Sequence, residues 1–196
     1  MSLKIDRAHD ALIVVDVQND FLPGGALPVA TGLEVIPVIN GLILRFRHVF
    51  FTRDWHPTAH VSFSEFPEYV DQSWPPHCLA DTPGAMLHEE LKLPDQPHII
   101  NKGTDPNREA YSGFEGTRLE ADLRELGIKR VFICGLATEY CVKNTALDAV
   151  RRGFQTYVIE DGVRGINHPD GTQQAAVAEM KGEGVVLVHS TDIPLS

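Results

Sequence analysis

The sequence predicts an α/β protein in which a mostly parallel six-stranded sheet is covered by helices on both faces. Short apolar runs alternate with helix-like segments throughout the chain, the pattern of a three-layer, Rossmann-like fold. The run at residues 11–15 is continuously apolar, as expected for a strand buried on both faces. The length of 196 residues suits one compact domain, and we expect a single domain over 1–196.

The predicted strands are short apolar runs that end at a polar, charged or glycine residue. The fourth of them runs into Gly135, after which apolar residues return at the spacing of one helical face. In chain order, the six predicted strands span residues 11–15, 48–52, 98–100, 131–134, 154–159 and 185–188.

The predicted helices follow candidate caps and end at glycines. Thr31 and Thr138 suit N-cap positions because a threonine hydroxyl accepts from a free backbone N–H in the first turn. Gly127 and Gly153 stand where helices commonly end. The five predicted helices span residues 31–46, 85–91, 116–126, 138 to the glycine at 153, and 170–181.

Composition and charge exclude several classes of function. A net charge of -10 argues against nucleic-acid binding, which needs clustered Lys and Arg. No apolar run approaches the ~20 residues of a membrane helix. Three cysteines without a CxxC motif, and no charged-then-apolar leader, predict a reduced, cytoplasmic protein.

Four reactive side chains follow the first four predicted strands. They are Asp16, Asp54, Lys102 and Cys141, and in an open parallel sheet such strand ends form the ligand-binding edge. Cys141 falls in the first turn of a helix, where the helix dipole should make its thiol more acidic than a free cysteine. Free N–H groups there could also stabilise an oxyanion. Each residue alone could be structural, and no glycine-rich nucleotide motif is present.

The long irregular loop 55–83 carries a candidate metal site. Residues two apart in an extended segment point to the same side, so Asp54 and His56 could bind one ion, with His60 and His77 completing the site. Such a set suits zinc, iron or manganese. The alternative is that these histidines are loop residues satisfied by hydrogen bonds.

Aromatic residues stand on the three irregular loops that meet at this edge. Phe21, Trp74 and Tyr111 could form flat walls around a planar ligand. Loop aromatics also commonly pin loops to the core, and for any one of them that interpretation is equally open.

Six short motifs follow one another in order over about three-quarters of the chain, and the last forty residues carry none. They are Asp16-Val-Gln-Asn-Asp-Phe21, Asp54-Trp-His-Pro, Trp74-Pro-Pro-His-Cys78, Lys102-Gly, Tyr111-Ser-Gly-Phe114 and Gly135-Leu-Ala-Thr-Glu-Tyr-Cys141-Val. Taken together, these motifs resemble the nicotinamidase/pyrazinamidase branch of the isochorismatase-like cysteine hydrolases.

The resemblance implies a catalytic triad of Cys141, Asp16 and Lys102. It also implies a cis peptide at Leu136–Ala137, with the N–H groups of Ala137 and Cys141 forming an oxyanion hole. A divalent metal, zinc first, would be held by Asp54, His56 and His77, with His60 facing it directly or through water. Phe21, Trp74 and Tyr111 would contact the substrate ring.

The function implied is hydrolysis of nicotinamide to nicotinate and ammonia through a cysteine thioester, in NAD salvage, with pyrazinamide as a second substrate. Three alternatives are kept open: another amidase or isochorismatase-like hydrolase, a hydrolase that uses a metal-bound hydroxide, and a non-catalytic binding domain. We expect a small-molecule substrate and neither nucleic acid nor membrane as partner, and we leave a homo-oligomer open.

Overall fold

A parallel sheet of six strands forms the centre of the molecule in the computed structural model, which describes residues 3–69 and 73–194. The strand order is β3-β2-β1-β4-β5-β6, and every neighbouring pair is parallel. This confirms the predicted fold class. The chain therefore reverses its direction of winding between β1 and β4, the place where open α/β sheets bind ligands. The strands are β1 (Asp10–Val15), β2 (His48–Asp54), β3 (His98–Lys102), β4 (Arg130–Leu136), β5 (Gln155–Arg164) and β6 (Val186–Val188).

Four α-helices of the described chain cover the two faces of this sheet. They are α1 (Val35–Ile43), α2 (Leu119–Glu125), α3 (Lys143–Arg151) and α4 (Thr172–Gly182). The apolar side of α1 packs in one core cluster, and the other three helices contribute to a second cluster on the opposite face. β1 divides its side chains between the clusters, with Leu12 in one and Ile13 in the other. Burial on both faces explains its continuously apolar sequence.

The predicted helix at residues 85–91 is wrong. The structure has a short 3₁₀ turn, Pro83–Ala85, and no helix over residues 86–91. Met86 accepts from the N–H of Asn19 at 3.0 Å, and the N–H of His88 donates to Val17 at 3.0 Å. Backbone pairing with the segment after β1 therefore replaces the local hydrogen bonds that a helix would need.

Neither predicted threonine N-cap forms. α1 is preceded by a 3₁₀ turn at Gly32–Glu34, and the Thr31 side chain makes no capping bond. After β4, Ala137 takes the cap position of a π-helical turn, Thr138–Val142, which leads into α3. The hydroxyl of Thr138 is buried and has no hydrogen-bond partner among the residues with described positions. β4 extends to Leu136, two residues beyond the predicted strand, so Ala137 and not Thr138 takes the cap position before the helical turn.

Among the helices in residues 3–69 and 73–194, none has both the length and the apolar character that spanning a bilayer requires.

Substitution of Gly135 is expected to be strongly destabilising. Gly135 has φ of +114°, and a Cβ there would lie 2.0 Å from the backbone oxygen of Val15. Gly135→Ala should therefore lower the free energy of unfolding by more than about 2 kcal/mol, since it adds a backbone clash to the cost of the strained φ. Urea unfolding measures the change. Gly153→Ala is the matched control, because Gly153 also has a positive φ (+84°) but open space around it. Equal losses in the two variants would contradict the clash.

Candidate functional site

The four reactive strand-end side chains meet at the carboxyl edge of the sheet. Asp16 follows β1 directly, and Cys141 lies in the π-helical turn after β4, so the two flank the winding reversal. Asp54 and Lys102 are paired neighbours at the ends of β2 and β3. The parallel register therefore brings all four to one place, as the sequence predicts.

The ammonium of Lys102 is the centre of this cluster. Its Nζ lies 2.9 Å from Asp16 Oδ2, 2.5 Å from Asp54 Oδ1 and 3.3 Å from Cys141 Sγ. Nζ also donates to the backbone oxygen of Ala110 at 3.1 Å. Lys102 is only 1% exposed, so these four contacts replace its hydration shell.

The charges in the cluster set its protonation. Burial alone would lower the pKa of Lys102, but the carboxylates of Asp16 and Asp54 outweigh it and raise that pKa well above its usual value. Burial raises the pKa of Asp16, and Lys102 opposes this shift. Burial would also raise the pKa of Asp54, but Lys102 and His56 reverse the effect and lower it. Asp16 is therefore the carboxylate of the pair that more readily takes a proton.

The expectation of an acidic Cys141 thiol is wrong. Burial raises the pKa of Cys141 well above its usual value, although Lys102 lowers it and the carboxylates of Asp16 and Asp54 raise it further. The cost of burying a thiolate outweighs the stabilisation of that charge by the neighbouring ammonium and by the dipole at the helix N-terminus. The sequence-based expectation considered only the helix dipole. Burial therefore favours the neutral thiol of Cys141, and a base beside the sulfur would assist formation of the nucleophilic thiolate.

Asp16 is held where it can act as that base. Its Oδ1 accepts a hydrogen bond of 2.6 Å from the hydroxyl of Thr52, a buried residue on β2. An oxygen of Asp16 and the sulfur of Cys141 lie within 4.8 Å of each other. The sequence did not predict Thr52 as a site residue, because it lies within a strand. Only the pairing of β1 with β2 brings its hydroxyl to Asp16.

Asp54, His56 and His77 form a buried set of donor atoms that could hold a metal ion. One atom from each lies within 4.8 Å of the others, and Nε2 of each histidine faces Asp54 Oδ2, at 3.6 Å and 3.9 Å. Nδ1 of His56 contacts the backbone oxygen of Gly103 at 2.9 Å, and Nδ1 of His77 contacts that of Pro75 at 2.8 Å. Carbonyl partners at Nδ1 place the proton there and leave Nε2 free as a ligand. These residues fit a divalent metal.

His60 lies beside this set and is not part of it. Its ring packs against that of His56 in a tilted arrangement, with 4.1 Å between the ring centroids. However, Nδ1 of His60 accepts from the N–H of Ser62 at 3.2 Å, and Nε2 contacts the backbone oxygen of Arg108 at 3.2 Å. Both ring nitrogens thus contact backbone groups, so of the two arrangements that the sequence left open, direct ligation and contact through water, this geometry favours contact through water.

A cavity opens between the three candidate metal ligands and Cys141. It is lined by Phe21, Trp74 and Tyr111, the aromatic residues that the sequence predicts at the site. Nε1 of Trp74 donates to the hydroxyl of Tyr111 at 2.9 Å. Tyr140 packs edge-on against Trp74 at 5.0 Å between centroids. The predicted cis peptide Leu136–Ala137 is present, and Ala137 and Cys141 both line the cavity.

Tyr140 and Ile166 also line this cavity but do not figure among the predicted site residues. The sequence could have indicated Tyr140, since it directly precedes Cys141 in one of the six matching segments. Ile166 follows β5 in the part of the chain without any motif, and only the fold brings it to the site.

The fold and site together define a class. A doubly wound parallel sheet with a thiol, a carboxylate and an ammonium in contact at its winding reversal is the architecture of an α/β cysteine hydrolase. The family model of the isochorismatase domain matches residues 10–192, and the chain belongs to this family.

Known members with high similarity include nicotinamidases and pyrazinamidases. The chain is 40% identical to a nicotinamidase from Acinetobacter baylyi, over 98% of this chain and 99% of that protein. It is similar to the crystal structure of a pyrazinamidase from Pyrococcus horikoshii in complex with zinc, with a TM-score of 0.84 and 48% identity over 92% of this chain and 99% of the other. It is also similar to PnC1 from L. infantum in complex with nicotinate, with a TM-score of 0.90 and 35% identity over 99% of both chains.

Proposed function

We propose that this protein is a nicotinamidase, an amidohydrolase that converts nicotinamide to nicotinate and ammonia. The observation that carries the proposal is the position of Lys102 Nζ, 3.3 Å from Cys141 Sγ and 2.9 Å from Asp16, beside an aromatic cavity. The similarity to the Acinetobacter baylyi nicotinamidase and to the nicotinate complex supports the same substrate class. Pyrazinamide, which has the same carboxamide on a similar ring, is the second substrate, and NAD salvage is the role we assign.

In the first step, Asp16 removes the proton of the Cys141 thiol, and the thiolate attacks the carboxamide carbon. Burial raises the pKa of Asp16, and Lys102 opposes this shift. The raised pKa suits Asp16 to accept and hold the thiol proton. Lys102 remains charged throughout and offsets the negative charge shared by Asp16 and the sulfur.

The N–H groups of Ala137 and Cys141 would form the oxyanion hole for the tetrahedral intermediate. The proton held by Asp16 then passes to the amide nitrogen, the C–N bond breaks, and ammonia leaves a thioester on Cys141. Water, deprotonated by Asp16, attacks the thioester and releases nicotinate, and the proton returns to the sulfur.

Asp54, His56 and His77 would hold a divalent metal, which we propose to be zinc with iron or manganese as alternatives. The zinc complex of the Pyrococcus horikoshii pyrazinamidase supports this assignment. When bound, the ion supplies a Lewis acid that can hold the ring nitrogen of the substrate or a water molecule. Phe21, Trp74 and Tyr111 then pack against the ring and exclude solvent from the thiol.

We further propose a single domain over 1–196 and a cytoplasmic location. All three cysteines are free thiols, which supports a reducing compartment. The net charge of -10 supports a small-molecule substrate over nucleic acid.

Ammonia release measures the proposed activity directly. We expect the purified protein to deamidate nicotinamide and pyrazinamide, with little turnover of carbamoyl compounds, because the flat aromatic walls suit a planar ring. Elemental analysis of the same preparation should find about one zinc per chain. Preferred turnover of a carbamoyl compound would place the protein elsewhere in the family, and absence of any turnover by the zinc-loaded protein would contradict the proposal.

A further inference from the structure

Gln18 is a fully buried amide in the motif after β1, and the proposed chemistry gives it no part. Its Nε2 donates to the backbone oxygen of Asp54 at 2.8 Å and to that of Ala85 at 2.8 Å. Its Oε1 accepts from the backbone N–H of Asp54 at 2.8 Å. Two carbonyls and one N–H match an amide in a single orientation, so the side chain is fixed by its partners.

The two bonds to Asp54 take the place of a neighbouring strand. The pairing of β1 with β2 ends at Val15 and Thr52, two residues before Asp54. On its other side, Asp54 is still paired with Lys102 of β3. Without Gln18, the N–H and the carbonyl oxygen of Asp54 that face away from β3 would be buried and unpaired, which is costly for a backbone group.

The carboxylate of Asp54 has little freedom to move. It contacts Lys102 Nζ at 2.5 Å on one side and faces Nε2 of His56 at 3.6 Å on the other. A small rotation of the Asp54 backbone would change both distances. Groups that orient metal ligands in this way typically contribute 10–100-fold to metal affinity.

We infer that Gln18 is a positioning residue for the metal site, acting through the backbone of Asp54. It replaces the missing strand beyond the end of β1 and holds the Asp54 carboxylate between the ammonium of Lys102 and the two histidines. The inference rests on the metal site proposed above and adds a residue that does not touch the ion.

The test measures zinc affinity and not activity. Metal-free protein is titrated with zinc in competition with a chromophoric chelator. Gln18→Met keeps the length of the side chain and removes all three hydrogen bonds, and we expect it to bind zinc about 10–100-fold more weakly. Gln18→Asn shortens the side chain by one methylene, so that it cannot reach all three groups, and we expect a loss in the same direction. Should the methionine variant not fold, the asparagine variant decides by the same criterion.

Asn19 offers a matched control. Its Nδ2 donates to the backbone oxygen of Pro83 at 2.8 Å, in the same turn that Gln18 holds through Ala85, but it makes no bond to Asp54. Asn19→Ala should therefore bind zinc as the unchanged protein does. A loss of affinity as large as that of Gln18→Met would mean that the turn matters and not Asp54, and would overturn the inference.

The outcomes separate this inference from the proposed function. Unchanged zinc affinity in both Gln18 variants, with normal binding and turnover by the unchanged protein, would overturn only the role of Gln18. Failure of the unchanged protein to bind zinc would overturn the zinc assignment and this inference together, whereas the thiol chemistry is tested separately by ammonia release.

Discussion

Replacing Cys141 with alanine is expected to lower nicotinamide hydrolysis by at least about 10⁴-fold, the scale on which removal of a covalent nucleophile acts. The sulfur is the one proposed nucleophile, and it lies 3.3 Å from Lys102 Nζ at the edge of the aromatic cavity. Alanine removes the atom proposed to form the thioester and leaves the proposed metal ligands Asp54, His56 and His77 unchanged. Zinc content should therefore equal that of the unchanged protein, as measured by elemental analysis beside the ammonia-release assay.

Cys134 supplies the matched control for this substitution. It is a fully buried thiol in β4, on the same segment of chain, and it does not line the cavity. Cys134→Ala should retain turnover because it removes a packing group and no reacting atom. Full activity in Cys141→Ala would instead support the hydrolase in which metal-bound hydroxide attacks the amide directly.

Lys102→Met is expected to lower the free energy of unfolding by about 3–5 kcal/mol and to abolish activity. The ammonium contacts both Asp16 and Asp54, and all three side chains are nearly or completely buried. Removing one partner of a buried ion cluster leaves the other charges without compensation, which costs more than the intact cluster contributes. Urea unfolding of the metal-free protein measures the change without a contribution from bound metal.

The double variant Asp16→Asn/Lys102→Met separates charge from packing. It removes one of the two carboxylates that Lys102→Met leaves uncompensated, so it should be more stable than Lys102→Met alone while remaining inactive. If the double variant is less stable than the single one, the destabilisation comes from lost packing around residue 102, and the electrostatic explanation is wrong.

Most of the fold was predictable because the information is local. Continuous apolar runs mark strands that are buried on both faces, and all six predicted strands lie at the observed positions, although β2, β3, β4 and β5 continue further than the apolar pattern. The non-helical conformation of residues 85–91 was not predictable in this way. The backbone of this segment bonds to residues 17–19, and a local sequence pattern does not encode contacts with residues so distant in the chain.

By itself, the sequence determined the order of strands and helices along the chain and the four reactive groups at the strand ends. Hydrophobic periodicity, turn residues and motifs reveal these features because they are properties of neighbouring residues. Only the tertiary structure decided the state of those groups. It buries Cys141, which raises the pKa of a thiol that the dipole of the helix N-terminus alone would make more acidic. It also places backbone groups against both ring nitrogens of His60. It also brings Gln18 to the backbone of Asp54. Solvent exclusion and contacts between distant segments exist only after the chain has folded, and these set the electrostatics of the site.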